Sequence, residues 1–175
     1  EGQAEGQRSR GELVSNYLQS ALSPADYLRE IQHEQYSGFN LLLGDRQQLY
    51  HFNSREGEAQ RLPAGVYGLS NASLNTPWPK LLRTREALRQ CLDQPEPDKL
   101  LALLSERART ADEQLPQTGV TLEVERLLSS AFIVSPSYGT RASTALILQA
   151  DGGRQMVERS FGPYGEPVGE VRIRC

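Results

Sequence analysis

Residues 39–53 read FNLLLGDRQQLYHFN. Phe39-Asn40-Leu41-Leu42-Leu43 is a short apolar run, Gly44-Asp45-Arg46 is a turn, and Leu49-Tyr50-His51-Phe52-Asn53 is a second run rich in strand formers. Two such runs on either side of a Gly- and Asp-bearing turn predict a β-hairpin. The hairpin interrupts a helical pattern, and that decides the fold class. Upstream, Ser9 is expected to cap a helix reaching about residue 22, with Leu13, Tyr17 and Leu18 among its apolar positions. Ser23-Pro24-Ala25-Asp26 then opens a second helix. Ser23 is its expected N-cap, Pro24 fits the first helical position, and Asp26 favours the positive helix start. Tyr27, Leu28 and Ile31 form its buried stripe, and Gly38 follows its end.

Downstream, residues 54–62 read as polar loop and Gly65-Val66-Tyr67-Gly68-Leu69 as a further strand. The helical period returns at Thr76, with Pro77 and Pro79 in a first turn and Trp78, Leu81, Leu82, Leu88 and Leu92 on one face. The stretch QPEPD at 94–98 breaks that helix, and Asp98 is expected to cap another through about residue 109. Residues 110–121 form a polar connection. Phe132-Ile133-Val134 and residues 143–148 predict strands, Asp151-Gly152-Gly153 predicts a turn into a strand over 155–161, and 171–174 alternates as a last, exposed strand. Helices, strands, helices, strands in blocks define an α+β fold with antiparallel hairpins. No internal repeat or long interior linker divides it. The expectation is one domain over residues 9–175, after a mobile stretch 1–8, EGQAEGQR, that holds no core-forming side chain beyond alanine.

Composition narrows the function classes. The 175 residues are 38% apolar and 23% charged, which excludes collagen-like and wholly disordered chains. Nineteen basic against 22 acidic residues give a net charge of −3, so no basic footprint points to nucleic acid. No apolar run has the length of a membrane span. The basic residues are arginines except for Lys80 and Lys99, which suits bidentate recognition of acids or reflects codon usage alone. Two cysteines, Cys91 and Cys175, are too few for a disulfide scaffold; free thiols in a reducing, cytoplasmic setting are expected. With two histidines, His33 and His51, and no HExxH, CxxC or EF-hand spacing, no metal site is predicted. Both histidines read as structural. The phosphate-cradling glycine motifs and the GxSxG nucleophile elbow are missing too.

Two segments carry candidate chemistry. In GVYGLSNASLNTPWPK, residues 65–80, Ser70 and Asn71 stand where the expected strand ends. An Asn amide there can donate to a developing oxyanion, or it can simply hydrogen-bond its own turn. Trp78 is core or a ligand platform. In SYGTRAST, residues 137–144, Arg141 stands at the mouth of an apolar strand. It partners an anionic group there, or is an edge arginine in water.

These stretches resemble the NRDE (transport and Golgi organisation protein 2-like) family. The resemblance runs through Ser9-Arg10-Gly11-Glu12-Leu13-Val14 and Tyr36-Ser37-Gly38-Phe39-Asn40-Leu41, and is most specific at Tyr67-Gly68-Leu69-Ser70-Asn71 and Thr76-Pro77-Trp78. It closes on Tyr138-Gly139-Thr140-Arg141, Ser143-Thr144 and Glu158-Arg159-Ser160. It implies an N-terminal-nucleophile-hydrolase-like fold, a four-layer αββα sandwich of antiparallel sheets. It also implies a leading Met-Cys and an Asn-Arg-Asp-Glu motif, and this sequence contains neither. The chain is therefore expected to be incomplete at its N-terminus and to hold the C-terminal two-thirds of the family domain.

An N-terminal nucleophile uses its own α-amine as base, so Glu1 cannot serve and the chain alone is expected to be inactive. By resemblance to the cysteine amidases of this fold, Asn71 is the oxyanion donor and Arg141 the support of a thiolate. Tyr67, Ser70, Trp78, Tyr138 and Thr140 are the expected ligand-binding residues. Three readings follow: a hydrolase of non-peptide C–N amide bonds when complete, a binding and trafficking protein for haem or a lipid-type ligand, or an inactive fragment. No cofactor is expected, and haem enters only as a ligand through the resemblance. The expected partners are a small molecule and either the missing N-terminal segment or a second subunit, which would cover exposed sheet edges.

Overall fold

The computed structural model of the chain describes residues 8–175. Most of the stretch expected to be mobile, residues 1–7, lies outside the described residues. Arg8, its last member, is held: its N–H donates to the Gln35 carbonyl at 3.1 Å and its guanidinium lies 5.3 Å from the centre of the Tyr36 ring. The fold is α+β, with five α-helices and two three-stranded antiparallel sheets among the described residues. The chain divides into two compact units, Glu1–Gly65 with Leu69–Leu74 and Val66–Gly68 with Asn75–Cys175.

In the first unit, helix α1 (Gly11–Gln19) and α2 (Pro24–Glu30) precede strands β1 (Asn40–Gly44), β2 (Leu49–Asn53) and β3 (Ala59–Leu62). The hairpin forms as the sequence predicts, with Leu41 opposite Phe52 and Leu43 opposite Tyr50. Asp45 closes the turn by accepting from the N–H groups of Gln47 and Gln48 at 2.7 and 3.0 Å. β3 pairs with β2, so part of the polar stretch 54–62 is strand, not loop. Its only buried residue is Leu62, and an edge strand with polar side chains leaves no apolar signature. Helix α1 stops at Gln19 and leaves Leu18 exposed, short of the expected end near residue 22. Ser23 caps α2 as expected, its Oγ accepting from Asp26 N at 3.2 Å. Leu13, Tyr27, Leu28, Tyr36, Leu41, Leu43 and Phe52 form the core. The Tyr27 hydroxyl donates to the Leu13 carbonyl at 2.7 Å, and burial holds its pKa above the usual phenol value.

The second unit holds α3 (Pro79–Cys91), α4 (Pro97–Leu103), α5 (Leu122–Leu128) and strands β4 (Ala142–Leu148), β5 (Arg154–Phe161) and β6 (Pro167–Arg174). β5 is central, and α4 packs on β4 and β5 through Leu101, Ala145 and Val157. Three expectations are corrected here. Residues 65–69 are not a strand, because Gly68 N donates to the Asn75 side-chain oxygen at 3.0 Å and Gly68 O accepts from Asn75 N at 2.8 Å. These bonds close a loop and use the groups that a sheet would need. Phe132-Ile133-Val134 is not a strand either: Ile133 bonds to Thr140 at both its N–H and its carbonyl, tying off a second loop. Asp98 is not a cap; Glu96 holds that position, and the helix ends at Leu103 instead of near residue 109. The polar connection 110–121 is followed by α5, whose inward residue is Glu125, which accepts from Thr118 N at 2.7 Å.

The two faces of the second sheet differ. Beneath α4, Asp98 pairs with Arg159 and Arg172, and both arginines also bond Glu170. On the other face, Leu146, Met156 and Ile173 stand in one row across the strands and Thr144, Glu158 and Val171 in the next. Leu146, Val171 and Ile173 are exposed.

Candidate functional site

Asn71 belongs to the first unit and Arg141 to the second, and each is described within its own. In the first unit the polar member of the β1 run, Asn40, turns its amide on the segment that carries Asn71. Asn40 Nδ2 donates to the carbonyls of Ser70 at 3.4 Å and Ala72 at 3.1 Å, on either side of Asn71. The Asn40 side-chain oxygen faces the other way, 2.9 Å from His51 Nε2. Because both amide protons are directed at carbonyls, this oxygen can only accept, so His51 carries its proton on Nε2. His51 is 2% exposed, and burial holds its pKa below the ordinary histidine value. The result is a neutral imidazole, a fixed amide and a fixed backbone bracket. The Asn71 side chain stands at its middle, exposed and without a side-chain hydrogen bond among the described residues. An amide so placed can donate to an oxygen without changing its own charge.

In the second unit, the loop tied off by Ile133 and Thr140 carries Tyr138, Thr140 and Arg141. Its closure requires a glycine: a Cβ at Gly139 would lie 2.7 Å from the Ile133 carbonyl oxygen. The Thr140 hydroxyl accepts from Ile133 N at 3.0 Å, a structural use of that residue. Tyr138 is exposed and, with Arg141, Pro163 and Tyr164, lines a hollow of about 80 Å³. The Arg141 guanidinium is exposed and makes no ion pair among the described residues, leaving it available to an anion. Tyr67 is half-buried in the segment just before Gly68. Trp78 is the residue before α3, its ring 5.8 Å from Lys80 Nζ, and its carbonyl accepts from Leu82 N.

Sequence reasoning passed over three features. Asn40 stands out only as a polar residue in an apolar run. Lys80 donates to the Leu128 carbonyl at 2.7 Å, and burial lowers its pKa below the usual amine value. Arg107 follows α4 in a stretch expected to be plain helix. No cluster of three or more His, Cys, Asp or Glu able to hold a metal ion occurs among the described residues. No helix among them is long and apolar enough to cross a membrane.

The Transport and Golgi organisation 2 family model matches residues 1–163. Among curated proteins, the chain is similar to the Transport and Golgi organization protein 2 homolog of Bos taurus, at 34% identity over 172 positions. It is similar also to the homolog of Homo sapiens, at 33% over the same length. Each alignment takes in 88% of this chain and 62% of the relative, so the chain matches less than two-thirds of the relatives' length. On a match that spans nearly its whole length, the chain belongs to the Transport and Golgi organisation 2 family.

Proposed function

We propose that the complete protein is a cysteine-dependent hydrolase of non-peptide C–N amide bonds, built on an N-terminal-nucleophile-type αββα sandwich. This chain supplies two supporting groups. Asn71 donates its amide N–H to the oxyanion of the tetrahedral intermediate, and Arg141 stabilises the thiolate of a leading cysteine that the chain does not contain. The observation that carries the reading is the bracket at 70–72. Asn40 holds the carbonyls before and after Asn71, so the backbone at Asn71 is braced while its side-chain amide keeps its hydrogen bonds unspent among the described residues. Each unit contains an antiparallel sheet, the kind of element from which such a sandwich is built. The nucleophile-bearing segment, or a second subunit, is the proposed cover for the sheet surfaces left open.

The test takes the full-length protein with its leading cysteine, a Cys→Ala variant of that residue, and a panel of acyl amides. Cysteine-dependent turnover that falls about 100-fold in kcat in Asn71→Ala supports the assignment. Turnover that is absent, or that the cysteine variant retains, sinks it. A second reading is favoured by the exposed Arg141 beside Tyr138: a binding and trafficking protein that takes the acid group of a lipid-type ligand there. Haem enters this reading through the resemblance, and no residue of the chain is assigned to it.

A further inference from the structure

Within the second unit, a cavity of about 500 Å³ opens beside α4 and the sheet, in the size range of small-molecule sites. Leu101, Phe132, Phe161 and Pro167 supply its apolar walls. Phe132 is 3% exposed and meets Phe161 edge to face, with ring centres 4.8 Å apart. Arg107 stands at the same cavity with its guanidinium 5.0 Å from the centre of the Phe132 ring. Gly165 makes this arrangement possible. It adopts a positive φ of 71°, and a Cβ there would lie 2.8 Å from Phe132 Cε1 and 3.4 Å from Arg107 Nη2.

The arginines around the cavity differ in their partners. Arg159 and Arg172 are satisfied by Asp98 and Glu170 in one four-membered network. The Glu106 carboxylate next to Arg107 is turned onto its own chain, accepting from Ala108 N at 2.7 Å. Arg107 itself has no carboxylate within ion-pair distance among the described residues. Arg107 is thus a guanidinium without an ion-pair partner among the described residues, held over an aromatic ring at the rim of an apolar cavity that the paired Arg159 and Glu170 also line. That combination fits one negative charge attached to an apolar body.

We propose that this cavity binds a small monocarboxylate with an apolar, preferably aromatic tail: the acid pairs with Arg107, and the tail packs on Phe132, Phe161 and Leu101. The proposal uses neither Asn71 nor Arg141, so it stands whether or not the amide-hydrolase reading does. Isothermal titration of the 175-residue chain with 4-phenylbutyrate, 4-phenylbutan-1-ol and 4-phenylbutyl phosphate tests it. The expected result is one-to-one binding of the carboxylate, with the alcohol at least about tenfold weaker. Arg107→Gln should weaken the carboxylate at least about fivefold and leave the alcohol unchanged, and Arg107→Lys should keep part of the difference. Arg46→Gln, in the hairpin turn of the first unit, should bind as the parent does. Arg107 is exposed, so its replacement leaves the fold intact. A parent chain that does not bind the carboxylate, a smaller loss in Arg107→Gln, or a phosphate preferred about tenfold over the carboxylate would overturn the proposal.

Discussion

His51 is the residue whose protonation state decides the most. It is buried and neutral, and its proton on Nε2 meets the Asn40 oxygen. Its pKa is lowered on folding, chiefly by desolvation, so below about pH 6.5 the unfolded chain binds a proton that the folded chain does not. Stability therefore falls as pH drops below that value. Asp45, Asp98, Asp112 and Glu170, whose pKa values are also lowered, keep their contribution until the carboxylate range and lose it only below about pH 4. The interval from pH 6.5 to 5 thus reports on His51. Thermal melts should show Tm falling between pH 7 and pH 5 in the parent, and a flat profile over that interval in His51→Gln. A slope of equal size in both proteins would remove His51 as its cause. Asn40→Leu is a different change: it strands the buried His51 N–H and releases the Ser70 and Ala72 carbonyls. The expected cost is about 1–3 kcal/mol in urea denaturation, with faster amide exchange confined to the 70–74 segment. Little of this was legible beforehand. The sequence shows an Asn in an apolar run and a His in a strand, but not that a residue 30 positions later completes the set.

At the scale of elements, legibility followed the source of each element's stability. The hairpin at 40–53, the cap at Ser23 and the β4–β5 hairpin rest on local signals, namely alternation, a capping hydroxyl and a glycine turn. β3 and α5 rest on tertiary pairing. One is an edge strand of polar residues and the other buries a glutamate, so neither writes a period into the chain. The false strands at 65–69 and 132–134 are the converse case. Both have strand composition, and both donate their backbone groups to loop closures instead, at Asn75 and at Thr140. The second closure is open to test. Gly139→Ala places a methyl group 2.7 Å from the Ile133 oxygen, a backbone atom that cannot swing aside. A loss of about 1–3 kcal/mol is expected in chemical denaturation, because the 133–140 loop must open to admit it. Arg141 follows this loop directly, so a ligand dependent on Arg141 should bind Gly139→Ala more weakly. Unchanged stability would mean that the Ile133–Thr140 bonds do not hold the loop shut.

At the scale of the whole molecule, the open face of the second sheet is an apolar surface without a cover among the described residues. Leu146 is 56% exposed, Val171 59% and Ile173 48%, and the sheet registers set Leu146, Met156 and Ile173 in one row. Single exposed apolar residues are ordinary, but a contiguous row across three strands is not. The polar members of the same face, Thr144 and Glu158, bond to each other at 2.6 Å and so do little to shield their neighbours. β4 and β6 are both edges, which adds unpaired backbone groups beside the apolar surface. Burying such a row yields about 25 cal/mol for each Å² removed from water, a driving force for association. Sedimentation velocity across a concentration series should therefore show self-association of the parent chain. The double substitution Leu146→Thr and Ile173→Thr should shift it towards the monomer while leaving Tm within a few degrees, since neither side chain is in the core. Thr has the β-branched shape that strands favour, so a changed mass with unchanged stability isolates the face itself. A parent chain that stays monomeric at every concentration would show that the row is tolerated in water and that nothing needs to cover it.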